Sequence, residues 1–186
     1  MSDLYVCPNI QTLTNEIPGI PPHMLHRYHN TLSGALGGDC VLSEFRGNGI
    51  NQAMIAYRME LAQHLNCQQM FSIIDRNNHW NMTPYFNNGF KMFASAIDPS
   101  DGGKIALMNH HFNQNTQTHH KGLSLSYTQF DEIDFVLSQG YIGKTYDTHT
   151  QTILFVKEVE MHHITKQNLY HNKYNHLKQN EGKFYV

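Results

Sequence analysis

From Ile50 onward apolar residues recur at intervals of three and four, through Ala53, Met54, Tyr57, Leu61 and Leu65. That is the period of one face of an α-helix. The spacing predicts a helix of about four turns with this face inward, and Asn66 is a fitting stop. The short, partly apolar stretch 39–45 before it reads as a strand, and the apolar run 69–74 after it as a buried one. Strand, helix and strand make a βαβ unit whose crossover sets the two strands parallel. Upstream, residues 1–38 carry Pro8, Pro18, Pro21 and Pro22, which disfavour long regular structure. A helix over 23–36 would bury Met24, Leu25, Tyr28, Leu32 and Leu36. Downstream, 78–88 reads as a shorter helix that begins late or kinks at Pro84 and stops at Gly89. Residues 91–97 and 104–112 read as an antiparallel pair joined by a turn-rich link, and 113–122 as a polar loop. A helix is expected over 129–139, with Thr128 as N-cap, Asp131 and Glu132 in its first turn, and Phe130, Ile133, Val136 and Leu137 inward. A last strand covers 152–159. The remainder, 161–186, is polar and at most partly helical.

Composition bounds this picture. The chain has 186 residues, of which 40% are apolar and 15% charged, enough for one domain with a core. The expected organisation is a single domain over 1–160, with a cofactor-binding core at 39–112, an extension at 113–160 and a polar tail at 161–186. Net charge is −2 and the basic residues are scattered, which argues against a nucleic-acid partner. No apolar run reaches the length of a membrane span, and residues 1–11 lack the features of a signal peptide. A cytoplasmic chain without a membrane partner is expected. Cys7, Cys40 and Cys67 are an odd set with no CxxC pair, which argues for reduced thiols. The pairs His110-His111, His119-His120 and His162-His163 invite a metal, but adjacent side chains diverge and do not close readily on one ion, so no metal site is expected.

The chemistry concentrates between the strand and the long helix. There Arg46-Gly47-Asn48-Gly49-Ile50-Asn51 forms a glycine turn that opens a helix. Such a turn presents unpaired backbone N–H groups at a positive dipole end, which suits a phosphate. Downstream, Asn78, Tyr85, Gly89 and Phe90 follow at fixed intervals. Together, in this order and separation, the two segments resemble the GNAT superfamily of acetyl-CoA-dependent N-acetyltransferases. That family's pyrophosphate turn is Gln or Arg, two residues, Gly, one residue, then Gly or Ala, and its second signature is Asn, Tyr and Gly-Phe at the spacing found here. The resemblance covers residues 39–112 and implies an α/β fold of the α+β kind: a GNAT-like mixed central sheet flanked by helices, with N-terminal strands expected to be missing.

The resemblance implies that Arg46 and the backbone of Gly47, Asn48, Gly49, Ile50 and Asn51 hold the pyrophosphate of acetyl-CoA, the acetyl donor. Val41, on the preceding strand, would meet the pantetheine arm, and Asn78 would contact the cofactor. Tyr85 would sit near the thioester sulfur as general acid. A phenol with a pKa of about 10 is a reasonable proton donor to a departing thiolate. Attack requires a neutral amine, and Asp39 and Glu44 are the acids near enough in sequence to act as base, with Asp39 preferred. Cys40 is expected to be buried and inert.

Two departures matter. Asn51 stands where the family prefers Gly or Ala. Family members usually carry three strands and two helices ahead of the turn, whereas here 38 residues precede Asp39. The acceptor half is therefore expected to be reduced, and the sheet edge it leaves must be covered by 113–160 or paired with a second copy in a homodimer. The expected activity is direct acetyl transfer from acetyl-CoA to an amine, small-molecule or protein, in a ternary complex. The alternative is a non-catalytic coenzyme A-binding protein or a degenerate acetyltransferase.

Overall fold

A computed structural model describes residues 3–7, 31–98, 100–113, 117–118 and 122–159. Ser33-Gly34-Ala35-Leu36-Gly37 is poor strand material by propensity, yet it forms β2 (Ser33–Gly37) because both its edges are taken. On one side β1 (Asp3–Cys7) pairs with it antiparallel, and on the other β3 (Gln69–Asp75) pairs with it parallel, from Ser33↔Gln69 to Leu36↔Ser72. The crossover between β2 and β3 is α1 (Ile50–His64). The βαβ unit is therefore present, with its first strand placed upstream of the expected one. Residues 39–42 are irregular and Ser43–Phe45 is a single turn of 3-10 helix, so the expected strand at 39–45 does not form. The expected helix over 23–36 fails over its last residues, which are β2; its earlier part lies outside the described residues.

A short 3-10 turn, His79–Asn81, leads into α2 (Met82–Asn87), which puts Pro84 in the first turn where its missing N–H is tolerated. The late start and the stop at Gly89 are as expected. Next come β4 (Lys91–Ile97) and β5 (Lys104–His111), antiparallel to each other. A two-residue strand, β6 (Gln117–Thr118), interrupts the expected polar loop. Then follow β7 (Leu123–Ser126), α3 (Phe130–Ser138), β8 (Tyr141–Asp147) and β9 (Thr152–Val159). The N-cap of α3 is Gln129 without a side-chain cap bond, its Oε1 accepting from the Ser126 N–H, and the Thr128 hydroxyl bonds Ser126 Oγ. Thr128 is not the cap.

The strands form one mixed sheet in the order β1-β2-β3-β5-β4-β8-β9-β6, with β7 also on β9. This is the α/β class read from the sequence. The described residues of 113–160 extend the sheet beyond β4, at the end away from β1, and none of these described residues pairs with the β1 edge. Alternation along β3 sends Met70 and Ile74 to one face and Phe71 and Ile73 to the other. The first face carries the main core, with Ile55 and Met59 of α1, Met82 and Phe86 of α2, and Ile133, Val136 and Leu137 of α3. The second face has a smaller cluster around Phe71 and Leu107. α3 is further tied down by the buried Arg76, whose guanidinium donates to Asp134 at 2.7 Å and lies 4.3 Å from the centre of the Phe130 ring. No helix among the described residues is long and apolar enough to cross a membrane.

α1 faces the core with a different stripe from the expected one, with Met54 half-buried at its border. Ile55, Arg58, Met59 and Ala62 are buried, whereas Tyr57 is 68% exposed and Leu61 and Leu65 also face out. The stripe that packs is harder to see because it contains an arginine. Ile55→Ala should cost about 2–5 kcal/mol in denaturant unfolding, and Tyr57→Ala no more than about 0.5 kcal/mol. The reverse ranking would mean that α1 packs by its other face.

Candidate functional site

The turn before α1 is shaped by its own side chains. Arg46 donates from Nε to the Val41 carbonyl at 3.0 Å, closing 41–46 into a loop. Asn48 folds back, its Nδ2 donating to the carbonyls of Phe45 and Arg46 at 3.1 and 3.3 Å. Gly47 and Gly49 have φ of +80° and +72°, a region that costs other residues about 1–2 kcal/mol. A Cβ on either would meet nothing within 4 Å. Both glycines are therefore favoured by the backbone, and they leave open space around the turn.

Gly49 is the N-cap of α1 in this left-handed conformation. No side chain caps the helix and no acid stands in its first turn. The first N–H groups of a helix have no intrahelical acceptor, so the positive end of α1 is left without a carboxylate of its own. Asn51, the departure from the family pattern, turns sideways: its Nδ2 donates to Asn81 Oδ1 at 2.5 Å. Gln52 adds to the same junction, accepting from Asn87 and Asn88 of the α2 end. The start of α1 is thereby tied to both ends of α2, through Asn51 to Asn81 and through Gln52 to Asn87 and Asn88.

A cleft with a volume of about 680 Å³ is lined by Asp39, Val41, Arg46, Gly47, Gly49, Ile50, Asn51 and Asn78, together with Cys40, Phe45, Gln52, Trp80, Asn81, Thr83, Pro84 and Thr148. Of the ten residues singled out in the sequence, it gathers eight. Asn48 and Tyr85 are not on its surface. Val41 lines it from an irregular segment rather than from a strand. Cys40 is exposed on the same segment, because the strand expected to bury it does not form. Glu44 is exposed and bonds Ser43, away from the cleft lining.

Behind Asp39 lies a buried polar network that sequence reasoning only half anticipated. Tyr85, 2% exposed, donates its phenol proton to Asp39 Oδ2 at 2.8 Å. Arg58 donates from Nη2 to Asp39 Oδ1 at 2.5 Å, and both side chains of this ion pair are almost fully buried. Nη1 of Arg58 reaches the carbonyls of Asp3 and Gly37, and Nε that of Met54. The network thus joins Tyr85 and Asp39, the two proposed catalytic residues, and adds Arg58, which was missed. A charged residue on a helix is usually exposed, and nothing in the spacing marks this one.

Elsewhere, His110 Nδ1 donates to the Gly89 carbonyl at 3.1 Å, and its ring packs on Phe90 and Phe112. Burial lowers its pKa. The other two histidine pairs lie outside the described residues. Among the described residues no three His, Cys, Asp or Glu side chains are grouped to hold a metal.

No protein-family model matches the sequence, and no curated protein is significantly similar to it. Among solved structures the chain is similar to the NatC complex bound to Gag peptide and CoA, at a TM-score of 0.43 and 19% identity, over 45% of this chain and 53% of that one. It is also similar to the IAA acetyltransferase from Bacillus cereus ATCC 14579, at a TM-score of 0.38 and 9% identity, over 60% of this chain and 100% of that one. The chain spans about half the length of the first of these. Both likenesses are remote.

Burial, and then the Asp39 carboxylate beside it, push the Tyr85 phenol well above its ordinary value, with Ser72 and Arg58 offsetting part of the shift. The folded protein holds this proton more tightly than the unfolded chain does. Its contribution to stability is therefore complete below the unfolded value of about 10 and is lost as pH rises from there toward the folded value. Unfolding midpoints measured above pH 10 should fall more steeply for the unaltered protein than for Tyr85→Phe. Parallel falls would mean that the phenol is not held in this way.

Proposed function

We propose that this chain is a GNAT-type N-acetyltransferase that binds acetyl-CoA in the cleft and passes the acetyl group directly to an amine, small-molecule or protein, in a ternary complex. The observation that carries the reading is the convergence of the glycine turn, the uncapped start of α1 and Asn78 on one cleft. The turn fits a pyrophosphate: its glycines leave space, the helix end is not neutralised by a side chain, and Asn51 is drawn aside by Asn81. When bound, acetyl-CoA supplies an acetyl group activated as a thioester.

Under this reading, the backbone of residues 47–51 and the Arg46 side chain hold the phosphates, and Val41 and Asn78 flank the arm. Tyr85 keeps its proton over the whole physiological range, but the upward shift makes it a weaker acid than a free phenol and its one proton is given to Asp39, so protonating the thiolate requires the phenol to leave Asp39 and turn to the cleft. Both oxygens of Asp39 are already engaged, one by Arg58 and one by Tyr85. Its part is therefore to hold the phenol, and the base for the amine is a role for another group or for water. A cytoplasmic location and a homodimer paired through the β1 edge belong to the same proposal.

A second reading has one observation in its favour. Tyr85 is buried behind Asp39 and is not on the cleft surface, as would suit a coenzyme A-binding protein without transfer activity. Calorimetric titration with acetyl-CoA, followed by a free-thiol assay over a panel of amines, separates the two. Transfer predicts binding with amine-dependent thiol release, and binding without release across the panel would support the second reading. Gly49→Arg should abolish binding, since it places a side chain in the open space of the turn at a strain of only about 1–2 kcal/mol. Tyr85→Phe should bind normally and turn over about a hundredfold more slowly. Normal binding by the first variant would remove the turn from the site, and normal turnover by the second would remove Tyr85 from the chemistry.

A further inference from the structure

Trp80 is the single tryptophan of the chain. It lines the cleft and is nonetheless 68% exposed. An indole at a cleft mouth leaves a large apolar ring surface in water, and here the ring is firmly backed. His79 lies behind it with ring centres 4.4 Å apart, and Tyr127 stacks on His79 at 4.3 Å. Tyr146 meets Tyr127 edge-on at 6.5 Å. The three supporting rings come from the 3-10 turn, the β7–α3 connection and β8, so distant parts of the chain converge beneath one exposed indole.

The polar atoms of this support are costly. Both ring nitrogens of His79 and the hydroxyl of Tyr146 are buried without a hydrogen-bond partner, and such groups ordinarily find one. Among the described residues the His79 side chain is therefore held by ring contacts, stacked on Tyr127 and supporting Trp80 at a tilt of 37°. Rigidly supported aromatic rings beside an anion-binding groove are what nucleic-acid bases stack on, and they accept a base by its π-face with little dependence on its identity.

We propose that Trp80 is the platform for a purine base, the adenine of coenzyme A. The inference rests on the functional reading above and follows from the order of groups in that molecule. Coenzyme A runs from thiol through pantetheine and pyrophosphate to 3′-phosphoadenosine. The pyrophosphate belongs at the start of α1, and the reactive end belongs at Asp39, with Tyr85 behind it. The adenosine then leaves the pyrophosphate along the rest of the cleft lining, where Phe45 and Trp80 are the exposed aromatic rings and Trp80 is the one backed by His79 and Tyr127.

The single tryptophan is its own reporter. Its fluorescence is titrated with coenzyme A, with adenosine 3′,5′-bisphosphate, which has the base but no arm, and with 4′-phosphopantetheine, which has the arm but no base. Binding of coenzyme A is followed in parallel by calorimetry with the unaltered protein, Trp80→Phe and Trp80→Ala. Stacking predicts that coenzyme A and the bisphosphate quench the indole while 4′-phosphopantetheine does not. It also predicts that Trp80→Ala weakens coenzyme A binding by at least about fivefold, and that Trp80→Phe restores most of the loss. Coenzyme A heat with an unchanged indole signal and equal affinity in all three proteins would overturn this inference while leaving the functional reading in place. Equal quenching by 4′-phosphopantetheine would also overturn it. No heat from coenzyme A with the unaltered protein would remove both.

Discussion

A guanidinium with no water around it must have every direction answered, and Arg58 has its answers from three elements at once. It takes the carbonyls of Asp3 on β1 and Gly37 on β2, its own helix at Met54, and the carboxylate of Asp39. A buried ion pair contributes little net stability, because desolvation offsets its attraction, but removing one partner costs about 3–5 kcal/mol. Its effect here is on geometry. It holds the irregular segment after β2 at one distance from α1, which fixes where the turn at 46–49 begins, and through Asp39 it fixes the phenol of Tyr85. The cleft wall and the buried tyrosine are placed by one cation.

The same arginine explains where the sequence misled. Ile55, Met59 and Ala62 make a modest apolar stripe on α1, and Arg58 in their midst makes it look like a polar face. Tyr57, Leu61 and Leu65 make the stronger apolar pattern and lie outside. β2 was hidden for a related reason: Ser33-Gly34-Ala35-Leu36-Gly37 has little strand preference of its own, and pairing on both edges makes it a strand. β8 was readable and was passed over. Tyr141-Ile142-Gly143-Lys144-Thr145-Tyr146 is rich in aromatic and branched residues and lies between Gly140 and a turn-rich stretch from Asp147, as a strand should.

The cleft was legible to the extent that backbone chemistry writes itself into residue choice. Glycine at 47 and 49 and asparagine at 78 can be found by spacing, since a turn and a helix start need particular residues at particular places. Long-range partners leave no such trace. Nothing near Asp39 points to Arg58 or Tyr85, and nothing near Trp80 points to Tyr127 or Tyr146. The strand expected at 39–45 is instructive: its apolar residues Val41, Leu42 and Phe45 looked like core, yet two of them, Val41 and Phe45, line a cleft.

β4 and β8 meet through one residue pair, Met92↔Gly143, where a Cβ on Gly143 would lie 3.0 Å from that of Met92. In mechanical terms this is a seam. Tension applied along β9 reaches β8 through a long ladder, but passes from β8 to β4 through a single rung and through the helix side chains packed across it. The sheet is thus two stiff plates joined by packing more than by hydrogen bonds, with α2 and α3 as the strap. Force would part the plates at Gly143 before it unzipped either one.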